Sequence, residues 1–138
     1  MSNIKAQSSN QAQRSKVKVY DLEERTALFG EDIIAFAKMI VKDEVTRPLI
    51  GQLVRSGTSI GANYMEADGA ESKKDFLHKI AICKKESKET KHWLRMIAKA
   101  DPQKNDDCRK LWQEAKELTL IFSSIILSGK ASKLKNID

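Results

Sequence analysis

A chain of 138 residues in which 41% are hydrophobic has the length of one domain and enough apolar material for one core. Six Gly and two Pro are too few to punctuate a many-stranded fold, and no run approaches the roughly 18 apolar residues that cross a bilayer. The formal charge of +6 sits at the ends: Lys5, Arg14, Lys16 and Lys18 face no acid, Lys130, Lys133 and Lys135 face only Asp138, and the body between is neutral overall.

The opening segment, rich in Gln, Ser and Asn, has too few large apolar groups to order itself, so residues 1–18 are expected to form a mobile basic arm. It also lacks the apolar centre of a secretion signal, and a cytoplasmic protein is expected. From Tyr20 the chain changes character. Asp21-Leu22-Glu23-Glu24 reads as a capping box in which Asp21 accepts from the backbone of Glu24. Leu22, Phe29, Ile33, Phe36 and Ile40 then recur at helical spacing, predicting a first helix over about 22–42.

Pro48 suits the first turn of a second helix over about 46–67, with Leu49, Leu53, Ser56, Ile60, Asn63 or Tyr64, and Ala67 along its inner face. Asp68-Gly69-Ala70 ends it. Ser72 and Asp75 form another capping box, opening a third helix over about 72–99 with the stripe Phe76, Ile80, Cys83, Ser87, Thr90, Leu94 and Ile97. After Asp101-Pro102 the last stripe is Cys108, Leu111, Ala115, Leu118, Phe122 and Ile125, with Gly129 as its expected stop.

Pairing these stripes gives a topology. Ile40 with Leu49, Phe36 with Leu53, Ile33 with Ser56 and Phe29 with Ile60 are all symmetric about the Glu44-Val45 peptide. Ile60 with Ile80 and Leu53 with Ser87 are symmetric about Ala70, and Ile80 with Ile125 and Leu94 with Leu111 about Pro102. Each centre coincides with an independent turn signal. The expected fold is all-α, an antiparallel up-down-up-down four-helix bundle over residues 19–128, followed by a basic tail over 129–138.

Polar residues on the inner faces require partners. The same symmetry sets Arg55 opposite Glu86 and Arg25 near Glu66, with Asn63 a further buried polar group. Gly57 and Gly61, four apart, make a smooth strip for a close helix crossing; the other reading is a ligand-binding loop, but their spacing matches neither a dinucleotide fingerprint nor a P-loop. No nucleophile has an adjacent base, so no enzyme, catalytic residue or cofactor is expected. Cys83 and Cys108 are expected to be free thiols, and with His78 and His92 scattered over separate segments no metal site is expected. Trp93 and Trp112 flank the core stripes and could be shared with another subunit.

The third helix is strongly basic. Lys84, Lys88, Lys91 and Arg95 recur at helical spacing, with Lys85 and Lys99 beside them, and form a ridge able to meet the phosphates of RNA or DNA. A solvated charged face is the other reading of the same residues.

The blocks Tyr20-Asp21-Leu22-Glu23, Gln52 to Ala67, Ser72 to Phe76 and Lys85 to Leu94 resemble the four-helix bundle family of 23S-rRNA intervening-sequence proteins, over roughly residues 18–125. The resemblance implies a four-helix bundle, a homo-oligomeric ring of five subunits and no known enzymatic activity. Some relatives are encoded in insertions within bacterial rRNA genes, and the more distant accessory proteins of diversity-generating retroelements bind nucleic acid and a reverse transcriptase. Two functions are therefore carried forward: a nucleic-acid-binding accessory protein, and a protein–protein interaction scaffold with no nucleic-acid role.

Overall fold

The structure is a computed structural model that describes residues 21–137, with side chains described through Lys130. The basic arm expected over 1–18 lies outside the described residues. Four helices make up most of the described residues: α1 Leu22–Met39, α2 Thr46–Asp68, α3 Lys73–Ala100 and α4 Asn105–Ile137, with a 3-10 turn at Pro102–Lys104. No strand occurs among the described residues, and none of their helices is long and apolar enough to cross a membrane.

The expected stripes form the core. Ile33, Ile60, Ile80 and Phe122, one from each helix, are 0% exposed, and Phe29, Leu53, Leu94 and Leu118 join them. Most helix contacts lie between α2 and α3, then α3 and α4, then α1 and α2, while α1 meets α4 along a much thinner seam. That order places the α1–α2 face and the α3–α4 face on opposite sides of the bundle.

Helix ends differ from expectation where side chains act on the backbone. α1 stops at Met39 rather than near residue 42, because Ile40 turns extended while keeping its side chain in the core. A pinned turn follows. The Asp43 carboxylate accepts from the backbone N–H groups of Val45 and Thr46, each at 2.8 Å, and the buried Thr46 hydroxyl donates to the Val41 carbonyl at 2.7 Å. Those backbone bonds hold the Asp43 carboxyl below its ordinary pKa. Asp21 makes no capping bond, so α1 relies at its start on the charges of Glu23 and Glu24 against the helix dipole. Ser72, by contrast, caps α3 as expected, its hydroxyl accepting from the Asp75 N–H at 3.1 Å.

Gly129 does not stop α4, which continues to Ile137. Its role is close approach: a β-carbon there would lie 2.6 Å from Leu77 Cδ2 on α3. Glycines also set the α1–α2 crossing. A β-carbon on Gly57 would lie 2.9 Å from Ile33 Cγ1 and Cγ2, and one on Gly61 3.4 Å from the Thr26 backbone. The strip is therefore a packed helix crossing, not a loop for a ligand.

Candidate nucleic-acid interface

The six cations expected on α3 divide by exposure. Lys85, Lys88, Arg95 and Lys99 are exposed, while Lys84 and Lys91 are half-buried towards their neighbours. Lys84, Lys88, Arg95 and Lys99 have no ion-pair partner among the described residues, and Lys85 reaches only 4.0 Å from Glu86 Oε1. Unpaired ammonium and guanidinium groups in one row are free to exchange their counterions for phosphates. Lys91 differs: its Nζ lies 5.2 Å from the centre of the Trp112 ring, across the α3–α4 seam.

Lys116 of α4 completes that group, its Nζ 5.7 Å from the same ring. It was not singled out from the sequence. The symmetry about Pro102 puts Trp112 opposite Trp93, hence within a turn of Lys91, and Lys116 lies one turn further along α4.

Polar pairs behind this face hold the helices in register. Arg55 Nη1 donates to Glu86 Oε2 at 3.2 Å, as the symmetry requires, and Arg55 Nη2 also meets Glu89 Oε1 at 2.6 Å. Arg55 holds the Glu89 carboxyl below its ordinary pKa, the hydrogen bond between them contributing most. The Trp93 indole N–H is buried without a hydrogen-bond partner, although it lies close enough to Glu89 to help hold that carboxyl down.

Arg25 departs from expectation. It donates from Nε and Nη2 to the two carboxylate oxygens of Glu114 at 2.9 and 2.8 Å, and from Nη2 to Glu117 at 3.3 Å, whereas Glu66 is taken by Lys79. Level alone does not say which neighbour a long side chain selects. Arg25 turns across the thin seam to α4, where Glu114 is as buried as itself. Asn63 donates to the Ser59 carbonyl one turn back, so it ties α2 to itself rather than to another helix.

The buried thiols among the described residues lie apart from this face. Burial pushes the Cys83 thiol up to about 12 and the Cys108 thiol up to about 11, so neither is a ready thiolate. Both are free. His78 and His92 are exposed, His92 resting edge-on against Trp93 at 4.9 Å. No cluster among the described residues could hold a metal ion.

On the opposite side α1 and α2 leave an open groove of about 600 Å³, floored by Ala27, Gly30, Ile34, Gly61 and Met65. Asp21, Glu23, Glu24 and Glu31 stand around it with no cation partner among the described residues. These carboxylates give the groove a negative charge. The molecule thus carries an anionic groove on one face and a cationic ridge on the other.

The profile of the family described as 23S rRNA-intervening sequence protein matches residues 15–124. The chain belongs to that family. A crystal structure at 1.70 Å of a protein of unknown function from the S23 ribosomal protein family, from Bacteroides thetaiotaomicron VPI-5482, is 31% identical to it. The two superpose with a TM-score of 0.69, covering 75% of this chain and 96% of that one. No curated protein matches. The ridge on α3, Trp112 and Lys116 all fall within the part matched as an intervening-sequence protein, whereas the last turns of α4 lie beyond it.

Proposed function

We propose that this protein is a non-enzymatic accessory protein that binds RNA or DNA phosphates through α3 and its basic ends, working as a homo-oligomeric ring. The carrying observation is the row Lys84, Lys88, Arg95 and Lys99, without acid partners and on the face away from the acidic groove. A family named for sequences that interrupt 23S rRNA supports RNA as the first ligand to try. A ring would repeat the row and convert weak electrostatic contacts into avidity. Lys5, Arg14, Lys16 and Lys18 would add to it from each subunit.

Titrating labelled RNA and DNA at two salt concentrations tests this reading. With four phosphate contacts per subunit, a fourfold rise in salt weakens single-strand binding on the order of 50-fold. Reversing Lys84, Lys88, Lys91 and Arg95 to Glu should abolish it. Undetectable binding at low salt disposes of the proposal, and a monomer in light scattering removes the avidity argument. The groove between α1 and α2, with Ile34 42% and Met65 61% exposed, favours a second reading as a protein interaction scaffold. Partner capture that survives both nuclease and the four reversals supports that second reading.

A further inference from the structure

Phosphate contacts alone do not distinguish a single strand from a duplex, but one residue on the basic face offers a contact that does. Trp112 is 36% exposed, whereas Phe29 and Phe122 are fully buried and Phe36 is 4% exposed. Its ring lies 5.2 Å from Lys91 Nζ and 5.7 Å from Lys116 Nζ, both within cation–π range. Lys88 and Lys84 continue from Lys91 along α3, one and two turns away. An aromatic surface beside ammonium groups, at the edge of a cationic row, combines the two elements that single-strand binding sites use: a stacking face for a base and cations for the backbone.

We infer that Trp112 is a stacking platform for an unpaired nucleobase, with Lys91 and Lys116 holding the phosphates on either side of it. The inference rests on the nucleic-acid reading above and narrows it to single-stranded ligands. In the free protein the two ammonium groups sit over the ring. A nucleotide brings a flat face and an anion together, so the base takes the ring and the displaced ammonium groups move to phosphate. A duplex cannot offer this exchange, because its bases are already stacked and paired. Lys88, Arg95 and Lys99 would contact phosphates of either form, so their removal lowers affinity without changing the preference.

The test compares three ligands of equal length at low salt: a thymidine single strand, the same strand paired with its complement, and an abasic strand carrying the same phosphates. Wild type should bind the thymidine strand roughly tenfold or more tightly than the abasic one, the worth of one stacked base. Trp112→Ala should erase that difference and Trp112→Phe should keep most of it, which also guards against a variant that merely misfolds. Indole emission should be quenched by the thymidine strand in wild type, and the quenching should vanish in Trp112→Phe, where Trp93 is the remaining indole. Lys88→Glu should weaken thymidine and abasic strands alike. Salt-dependent binding that is equal for thymidine and abasic strands, and indifferent to Trp112→Ala, overturns the stacking inference while leaving phosphate binding in place. Absence of binding to every strand overturns both.

Discussion

The seam between α2 and α3 and the seam between α1 and α4 belong to one bundle but are closed by different forces. Between α2 and α3, Leu53, Ile60, Ile80 and Cys83 are sealed from solvent with small polar groups beside them, and the charged pair at the seam's edge, Arg55 with Glu86, keeps its guanidinium 45% exposed. The Ser56 and Thr90 hydroxyls lie 3.0 Å apart, Thr90 is also bonded to the Glu86 carbonyl, and the Cys83 thiol points to the Ile60 carbonyl at 3.6 Å. Between α1 and α4 the contact is thin, and its polar closure is the charged pair Arg25 and Glu114, with side chains 11% and 10% exposed. Small hydroxyls can satisfy themselves on their own helix. The buried Glu114 carboxylate takes its counter-charge from the Arg25 guanidinium, which makes the thinner seam the more brittle to a single change.

Removing one partner should therefore give the largest effect. Arg25→Met leaves Glu114 buried without its counter-charge and should cost about 3–5 kcal/mol in urea unfolding. Arg25→Met with Glu114→Leu should recover most of that loss, since two apolar groups need no partner. A single-variant loss below about 1 kcal/mol would mean that the pair is solvated and that the two seams are closed alike.

Steric closeness can be separated from helix propensity at two glycines of α2. Gly57→Ala drives a methyl group against Ile33 at 2.9 Å, and overpacking costs of about 1–3 kcal/mol exceed a propensity gain of about 0.5–1 kcal/mol. Gly51→Ala meets nothing within 4 Å and should stabilise by about 0.5–1 kcal/mol. Thermal melts of the two variants should move in opposite directions. Equal upward shifts would show that the α1–α2 crossing yields easily, and that α2 carries its glycines for some other reason.

These contrasts mark what was legible in the letters. Helical spacing exposed the core stripes because burial repeats with the turn of the helix, and level matching found Arg55 with Glu86 because both lie on adjoining helices beside the core. It missed Arg25 with Glu114, since a long side chain between two neighbours chooses by the angle at which it leaves its helix, which numbering does not carry. Gly129 read as a stop for a similar reason: one glycine serves a chain end and a close contact equally well, and only Leu77 across the seam distinguishes them. On the basic face the lysines of α3 were visible as a periodic row, whereas Lys116 gained meaning only when α3 and α4 brought it beside Trp112.

The smallest contrast lies in acid titration, where the two seams have opposite signs. Arg55 lowers the Glu89 pKa in the folded protein, so this carboxylate stabilises above its unfolded pKa and the benefit is lost as pH falls through the folded value. Glu117, on the α1–α4 seam, is raised by burial and then by its neighbour Glu114, despite Arg25 at 3.3 Å. Its stabilising share is complete below the unfolded pKa and disappears as pH rises through the folded value. Glu89→Gln should then be less stable than wild type at neutral pH, and Glu117→Gln slightly more stable. Both gaps should be under about 1 kcal/mol, because each group is substantially exposed. The Glu117 gap should close as pH falls to the unfolded carboxylate pKa and the Glu89 gap only at lower pH, measured by urea midpoints. Gaps of the same sign at neutral pH would show that Arg25 outweighs the burial of Glu117, and that a single electrostatic logic governs both seams.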